Sequence, residues 1–127
     1  MKRAKSKRPT DGELAILQVL WNTGPATVGA IQEKLGETRP TGYTTVLKLL
    51  QIMLQKELVT RDESQRSHVY TPKEKAQVMK RSLVADLVQR AFGGSTHKLV
   101  MQALSEEKLS EEEQAEIAAL LKQMGGK

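Results

Sequence analysis

The sequence predicts a mainly α chain with a small β-hairpin: a winged helix-turn-helix head followed by a three-helix C-terminal arm. Three observations predict this. Apolar residues recur at helical spacing in three successive segments before residue 57. Two runs rich in β-formers, 58–61 and 67–71, then flank a polar turn. Helical spacing resumes from residue 73. Three helices, a hairpin and three further helices give the outline of a winged helix with an extension. A chain of 127 residues has room for a head at 10–72 and a helical domain at 73–127.

Residues 1–9 read as a disordered basic tail, polar, charged and ended by Pro9. Thr10 and Glu13 then form a T-x-x-E capping box. Behind it Leu14, Leu17 and Trp21 sit at helical spacing, and Thr23-Gly24-Pro25 stops a first helix of about 11–22. A second helix fits 27–36, with Thr27 as N-cap, Val28, Ile31 and Leu35 on one face, and Gly36 as C-cap. Arg39-Pro40 is extended, because proline disfavours helical geometry in the residue before it.

Thr41 is placed to cap a third helix over 41–56. Val46, Leu49, Leu50 and Met53 give that helix one apolar face, and Thr41, Thr44, Thr45, Lys48, Gln51 and Gln55 line the other. Residues 62–66 form the hairpin's polar tip, and Pro72 ends the hairpin. A long helix covers 73–91 and breaks at Phe92-Gly93-Gly94-Ser95, where glycine supplies positive φ. A short helix at 96–104 follows. Ser110 and Glu113 make a second capping box, leading a last helix with Ile117, Leu120, Leu121 and Met124 as its apolar stripe. The head's expected core is Leu14, Leu17, Trp21, Ile31, Leu35, Val46, Leu50 and Val69.

Composition removes several classes of function. With no cysteine there is no disulfide framework, thiolate metal site or Cys nucleophile. His68 and His97 belong to no H-x-x-H or H-E-x-x-H pattern, so they read as a strand side chain and an exposed helix position. No metal or other cofactor is expected. No nucleophile elbow or Gly-rich phosphate loop is present, so an enzyme is not expected. No apolar run approaches the ~20 residues of a membrane span. A soluble, cytoplasmic chain is the expectation.

The net charge of +5 resides in residues 1–8, MKRAKSKR; residues 9–127 hold 15 bases and 15 acids. Within that neutral body, residues 38–81 hold nine bases against four acids, and residues 105–127 hold six glutamates against three lysines. The middle is therefore basic and the end acidic.

The third helix carries the chemistry of a DNA reader. Small hydroxyls and lysine reach base edges, and no carboxylate repels phosphates until Glu57. Thr41, Gly42, Tyr43, Thr44, Thr45 and Lys48 are the candidates, with Arg39 just ahead of them. Threonine methyls can touch a thymine methyl, Tyr43 can bond a phosphate, and Gly42 allows close backbone approach. On the hairpin, Arg61, Gln65 and Arg66 are candidates for phosphate or minor-groove contacts. Asp62 and Glu63 count against close approach there. The alternative for each is an ordinary solvated face. The tail either adds phosphate contacts or solubilises the terminus.

The arm poses a separate problem. A C-terminal core of about 50 residues is marginal alone. Leu83, Leu87, Val88, Phe92, Leu99, Val100 and Leu104, with the stripe of the last helix, are candidate dimerisation residues. Two arms interleaved as a homodimer would carry two heads to the half-sites of a palindromic operator. The alternative is that these helices fold back onto the head.

The chain also resembles the penicillinase-repressor family of bacterial transcription factors (BlaI/MecI/CopY type). The likeness rests on Glu13-Leu14-Ala15-Ile16-Leu17 with Leu20-Trp21 and Gly24, and on Tyr43-Thr44-Thr45-Val46. It continues through Lys56-Glu57-Leu58-Val59, Tyr70, Phe92-Gly93-Gly94-Ser95 and Lys108-Leu109-Ser110-Glu111-Glu112-Glu113. The resemblance implies a dimeric winged-helix repressor of inverted-repeat operators that control β-lactam resistance or copper homeostasis genes. It would put Tyr43, Thr44, Thr45 and Lys48 in the major groove and Arg66 on the wing. Members that sense β-lactams are cleaved at an Asn-Phe bond, whose place is taken by Gln102-Ala103. The copper-responsive branch uses C-terminal cysteines, and this chain has none. A sensor protease or another inducer stays open as a further partner. The usual glycine at the end of the third helix is Glu57, which is expected to lengthen that helix. The competing functional reading keeps the fold and drops the DNA: a winged-helix protein-interaction module.

Overall fold

The computed structural model describes residues 8–125. The expected basic tail lies outside them, apart from Arg8 and Pro9. The elements run α1 (Asp11–Thr23), α2 (Val28–Leu35), α3 (Tyr43–Gln55), β1 (Val59–Asp62), β2 (Val69–Pro72), α4 (Ala76–Ala91), α5 (Thr96–Glu106) and α6 (Glu111–Gly125).

Local chemistry fixes most of the boundaries. The Thr10 side chain accepts from the Glu13 backbone N–H at 3.3 Å, and the Thr10 N–H donates to Glu13 Oε1 at 3.0 Å. Thr27 caps α2 by accepting from Ala30 N. The Ser110–Glu113 box forms the same reciprocal pair at the start of α6. Gly24, Gly93 and Gly94 end their helices at φ of 93°, 57° and 84°.

Two boundary expectations are corrected, at Thr41 and Glu57. Thr41 does not cap α3: its hydroxyl donates to Arg39 O, and the N-cap is Gly42, with no side-chain bond. Gly36 is the C-cap of α2, as expected, but in a right-handed conformation at φ −62°, and Thr38 N and Arg39 N close the turn after it on Leu35 O. Glu57 does not lengthen α3. It turns left-handed at φ 64°, with Glu57 N donating to Leu54 O and Leu58 N to Met53 O. That is a Schellman termination with glutamate where glycine is usual.

β1 and β2 pair antiparallel, with Val59 opposite Pro72 and Asp62 opposite Val69. A second edge forms at Ala26, whose N–H and C=O bond the carbonyl and N–H of Tyr70. The hairpin is thereby fastened to the turn between α1 and α2.

Packing divides the chain into two compact units, with the boundary after Leu83, inside α4. In the first, Ile16, Leu17 and Leu20 of α1 meet Val28, Ile31 and Leu35 of α2 and Val46, Leu50 and Met53 of α3. Leu58, Val59 and Tyr70 close this core. Leu14, Trp21 and Val69 are only partly buried, against expectation. Trp21 lies at the core's rim because its indole N–H must reach Glu74 O, at 3.0 Å. Val69 and Tyr70 alternate along β2, and Tyr70 takes the buried position.

The second unit holds the end of α4 with α5 and α6. Val88 is its one buried hydrophobic residue among the described residues. Neither α5 nor α6 has a buried residue. An apolar groove of ≈ 350 Å³ lies between these two helices, lined by Leu104, Leu109, Ile117 and Leu121 among others.

Candidate nucleic-acid interface

The N-terminal half of α3 presents the candidate reading face. Gly42, Tyr43, Thr44, Thr45 and Lys48 are all exposed, Tyr43 by 53%, while Val46 and Leu50 turn inward. The first turn carries no acid. Its free N–H groups and helix dipole favour an anion there. Arg39 is exposed in the loop before it. Thr41 is half-buried, its carbonyl accepting from Gln32 Nε2 at 3.2 Å, so α2 fixes the entry to α3.

The wing meets this face across a cleft of ≈ 390 Å³. Tyr43 and Leu47 of α3 line one side, Arg66, Ser67 and His68 of the wing another, and Thr27 to Gly29 of α2 the floor. The structure thus brings Tyr43 and Arg66 to one concavity that no carboxylate lines. His68, expected as a strand side chain, instead lies in the loop just before β2 and lines this cleft.

The two wing arginines differ. Arg66 is exposed and makes no ion pair among the described residues. Arg61 is half-buried, and its Nε donates to Glu63 Oε2 at 2.8 Å, with Nη2 on the same oxygen. Hydrogen bonding to the Tyr70 side chain, and then to Glu63, raises the Arg61 pKa further above its ordinary value. Gln65 is exposed at the tip. Asp62 accepts from Ser64 N at 2.9 Å, and hydrogen bonds from the Ser64 backbone and side chain lower its pKa.

One residue that matters here is not visible from the sequence. Ala26 anchors the wing, and an isolated alanine gives no strand signal. Glu63, expected only to oppose close approach at the tip, also holds Arg61 from just beyond the end of β1.

No cluster of metal-ligating side chains occurs among the described residues, and none of their helices is long and apolar enough to cross a membrane.

The sequence matches the penicillinase repressor family over residues 9–123. The chain belongs to that family. Curated relatives from two strains of Mycobacterium tuberculosis, each named transcriptional regulator BlaI, are 35% identical over 89 residues. The match takes in 69% of this chain and 64% of theirs, so the chain spans just under two thirds of their length. The fold is similar to the solution structure of the DNA binding domain of the repressor BlaI, with a TM-score of 0.51 and 22% identity. That likeness covers 58% of this chain and 90% of the other, and it shows the winged-helix fold.

Proposed function

We propose that this chain is a DNA-binding transcriptional repressor that acts as a homodimer on a palindromic operator. One observation carries this: an acid-free, exposed α3 N-terminus shares a concavity with Arg66 of the wing. Thr44, Thr45 and Lys48 read base edges in the major groove, with Tyr43, Gly42 and Thr41 at its margin. Arg39, Gln65 and Arg66 meet the backbone. Arg61 belongs to the wing but reaches it already engaged by Glu63.

Dimerisation is supported by the second unit. Leu120, Leu121 and Met124 are 55%, 57% and 72% exposed on α6, and Leu87, Val100 and Leu104 are exposed on α4 and α5. Leu83, Phe92, Leu99 and Ile117 are half-buried. A second copy is the partner that buries such a surface symmetrically. Val88, already buried within its own chain, contributes less to that contact than the sequence suggests.

The test is fluorescence anisotropy on a duplex from the gene's upstream region beside a scrambled duplex, at roughly physiological salt, where nonspecific affinity is ~10⁻⁴–10⁻⁶ M. Preference for the native duplex, saturating at two chains per site, is the expected result. Equal binding to both removes sequence recognition. No binding to either leaves an interaction module on the same fold.

A further inference from the structure

We propose that Glu63 is a positioning residue that withholds Arg61 from DNA and so limits the wing to one phosphate-binding arginine, an inference resting on the DNA-binding function proposed above. The wing carries two arginines and two acids between residues 61 and 66, so it is electrically neutral at its tip. A neutral wing binds phosphate only if its cations and anions are separated in space.

The structure separates one arginine and not the other. Arg61 follows Val59 on the inward side of β1, in register with Tyr70 of β2. Glu63 then folds back on it, so that Nε and Nη2 converge on one carboxylate oxygen. A guanidinium held this way has two of its N–H groups on an anion that moves with it. Asp62, on the outward side, is turned to Ser64 N and takes no arginine. Arg66 lies beyond the turn, exposed on the cleft beside Tyr43.

Glu63 therefore acts through Arg61. Its carboxylate competes with any phosphate for the same two N–H groups. Removing it leaves Arg61 beside Tyr70 but without its anion, a cation no longer neutralised at the wing, and does not touch α3, so affinity rises for every duplex and sequence preference stays as it was.

The experiment measures log Kd against log salt concentration for the full chain on the preferred and scrambled duplexes. Each added phosphate contact steepens the slope by about 0.9. Glu63→Ala is expected to steepen it by that amount on both duplexes. Arg61→Ala alone is expected to leave the slope of the unaltered protein unchanged. Adding Arg61→Ala to Glu63→Ala is expected to return the slope to its original value. An unchanged slope in Glu63→Ala overturns the proposal. A gain that survives without Arg61 also overturns it, because simple loss of a repelling charge then accounts for the effect. A protein that binds no duplex in any form defeats the proposed function itself, a distinct outcome. A fold loosened by Glu63→Ala is recognised by circular dichroism, and Glu63→Thr, whose β-branch suits extended backbone and whose side chain is too short to occupy both Arg61 N–H groups, then carries the same comparison.

Discussion

Lys56 Nζ lies 2.7 Å from Glu13 Oε1, joining the end of α3 to the first turn of α1. Glu13 is 2% exposed, the one buried charged residue among those described, and Lys56 also donates to Arg8 O at 3.2 Å. The capping glutamate of α1 thus doubles as the anchor of the helix that carries the reading face. Removing one partner of a buried pair strands the other's charge, at a cost of about 3 kcal/mol. Lys56→Met is expected to lower unfolding free energy by about that amount in urea titration. The Lys56→Met and Glu13→Gln double variant is expected to recover part of it.

Glu57 at φ 64° holds a conformation that costs an L-residue with a Cβ about 1 kcal/mol. Its contact with Lys73, at 3.4 Å between two well-exposed side chains, contributes little in return. Glu57→Gly is expected to raise stability by about 1 kcal/mol, read as a higher Tm. Glu57→Val, whose β-branch suits this region worst, is expected to lower it.

Specificity and affinity are expected to part at two residues. Thr44→Ala removes a hydroxyl and a methyl from the reading face and is expected to cost on the order of 1 kcal/mol of preference for the native duplex. Arg66→Ala is expected to weaken binding to all duplexes alike and reduce the salt slope by about one. If Thr44→Ala kept the preference intact, α3 would not be the reading helix.

The wing tip has its own response to acid. Ser64 holds the Asp62 carboxyl below its ordinary value of 3.8, first through its backbone N–H. A depressed folded-state pKa stabilises the fold above the unfolded value, and the effect is lost as pH falls through the folded one. Titration of Asp62 by NMR is expected to show a midpoint below 3.8. Ser64→Ala is expected to leave it below, since the main donor is backbone.

The exposed stripe of α6 gives a test of assembly. Leu120→Arg places a charge where the proposed partner helix packs, and is expected to yield monomers in sedimentation equilibrium at concentrations where the unaltered chain is dimeric. Helix content is expected to be maintained, because Leu120 is 55% exposed within the single chain.

What was legible in the sequence was local. The boxes at Thr10 and Ser110 state their function within four residues, and both form. Helical and strand periods fix which elements exist, and the acid-free face of α3 follows from its residue types alone. What was not legible depends on distant partners or on competing bonds. Glu13 reads as a cap, and its burial depends on Lys56, 43 residues away. Tyr70 is buried because Ala26 pairs with it from the far side of the head. Thr41 has the right side chain for a cap, but its hydroxyl finds Arg39 O first. At Glu57 a residue with no taste for positive φ accepts it, because the hydrogen bonds of Leu58 and the burial of Leu58 and Val59 require the chain to turn there.

The bond from Trp21 to Glu74 spans 53 residues, from the first helix to the segment that follows the hairpin. Closing a loop of that separation carries an entropy cost that local helical contacts do not. Trp21 is also the sole tryptophan of the sequence. Its emission therefore reports on that closure alone. In rapid mixing, recovery of the indole signal is expected to report closure of the head, and a lag behind helical ellipticity would show that the segment after the hairpin docks last.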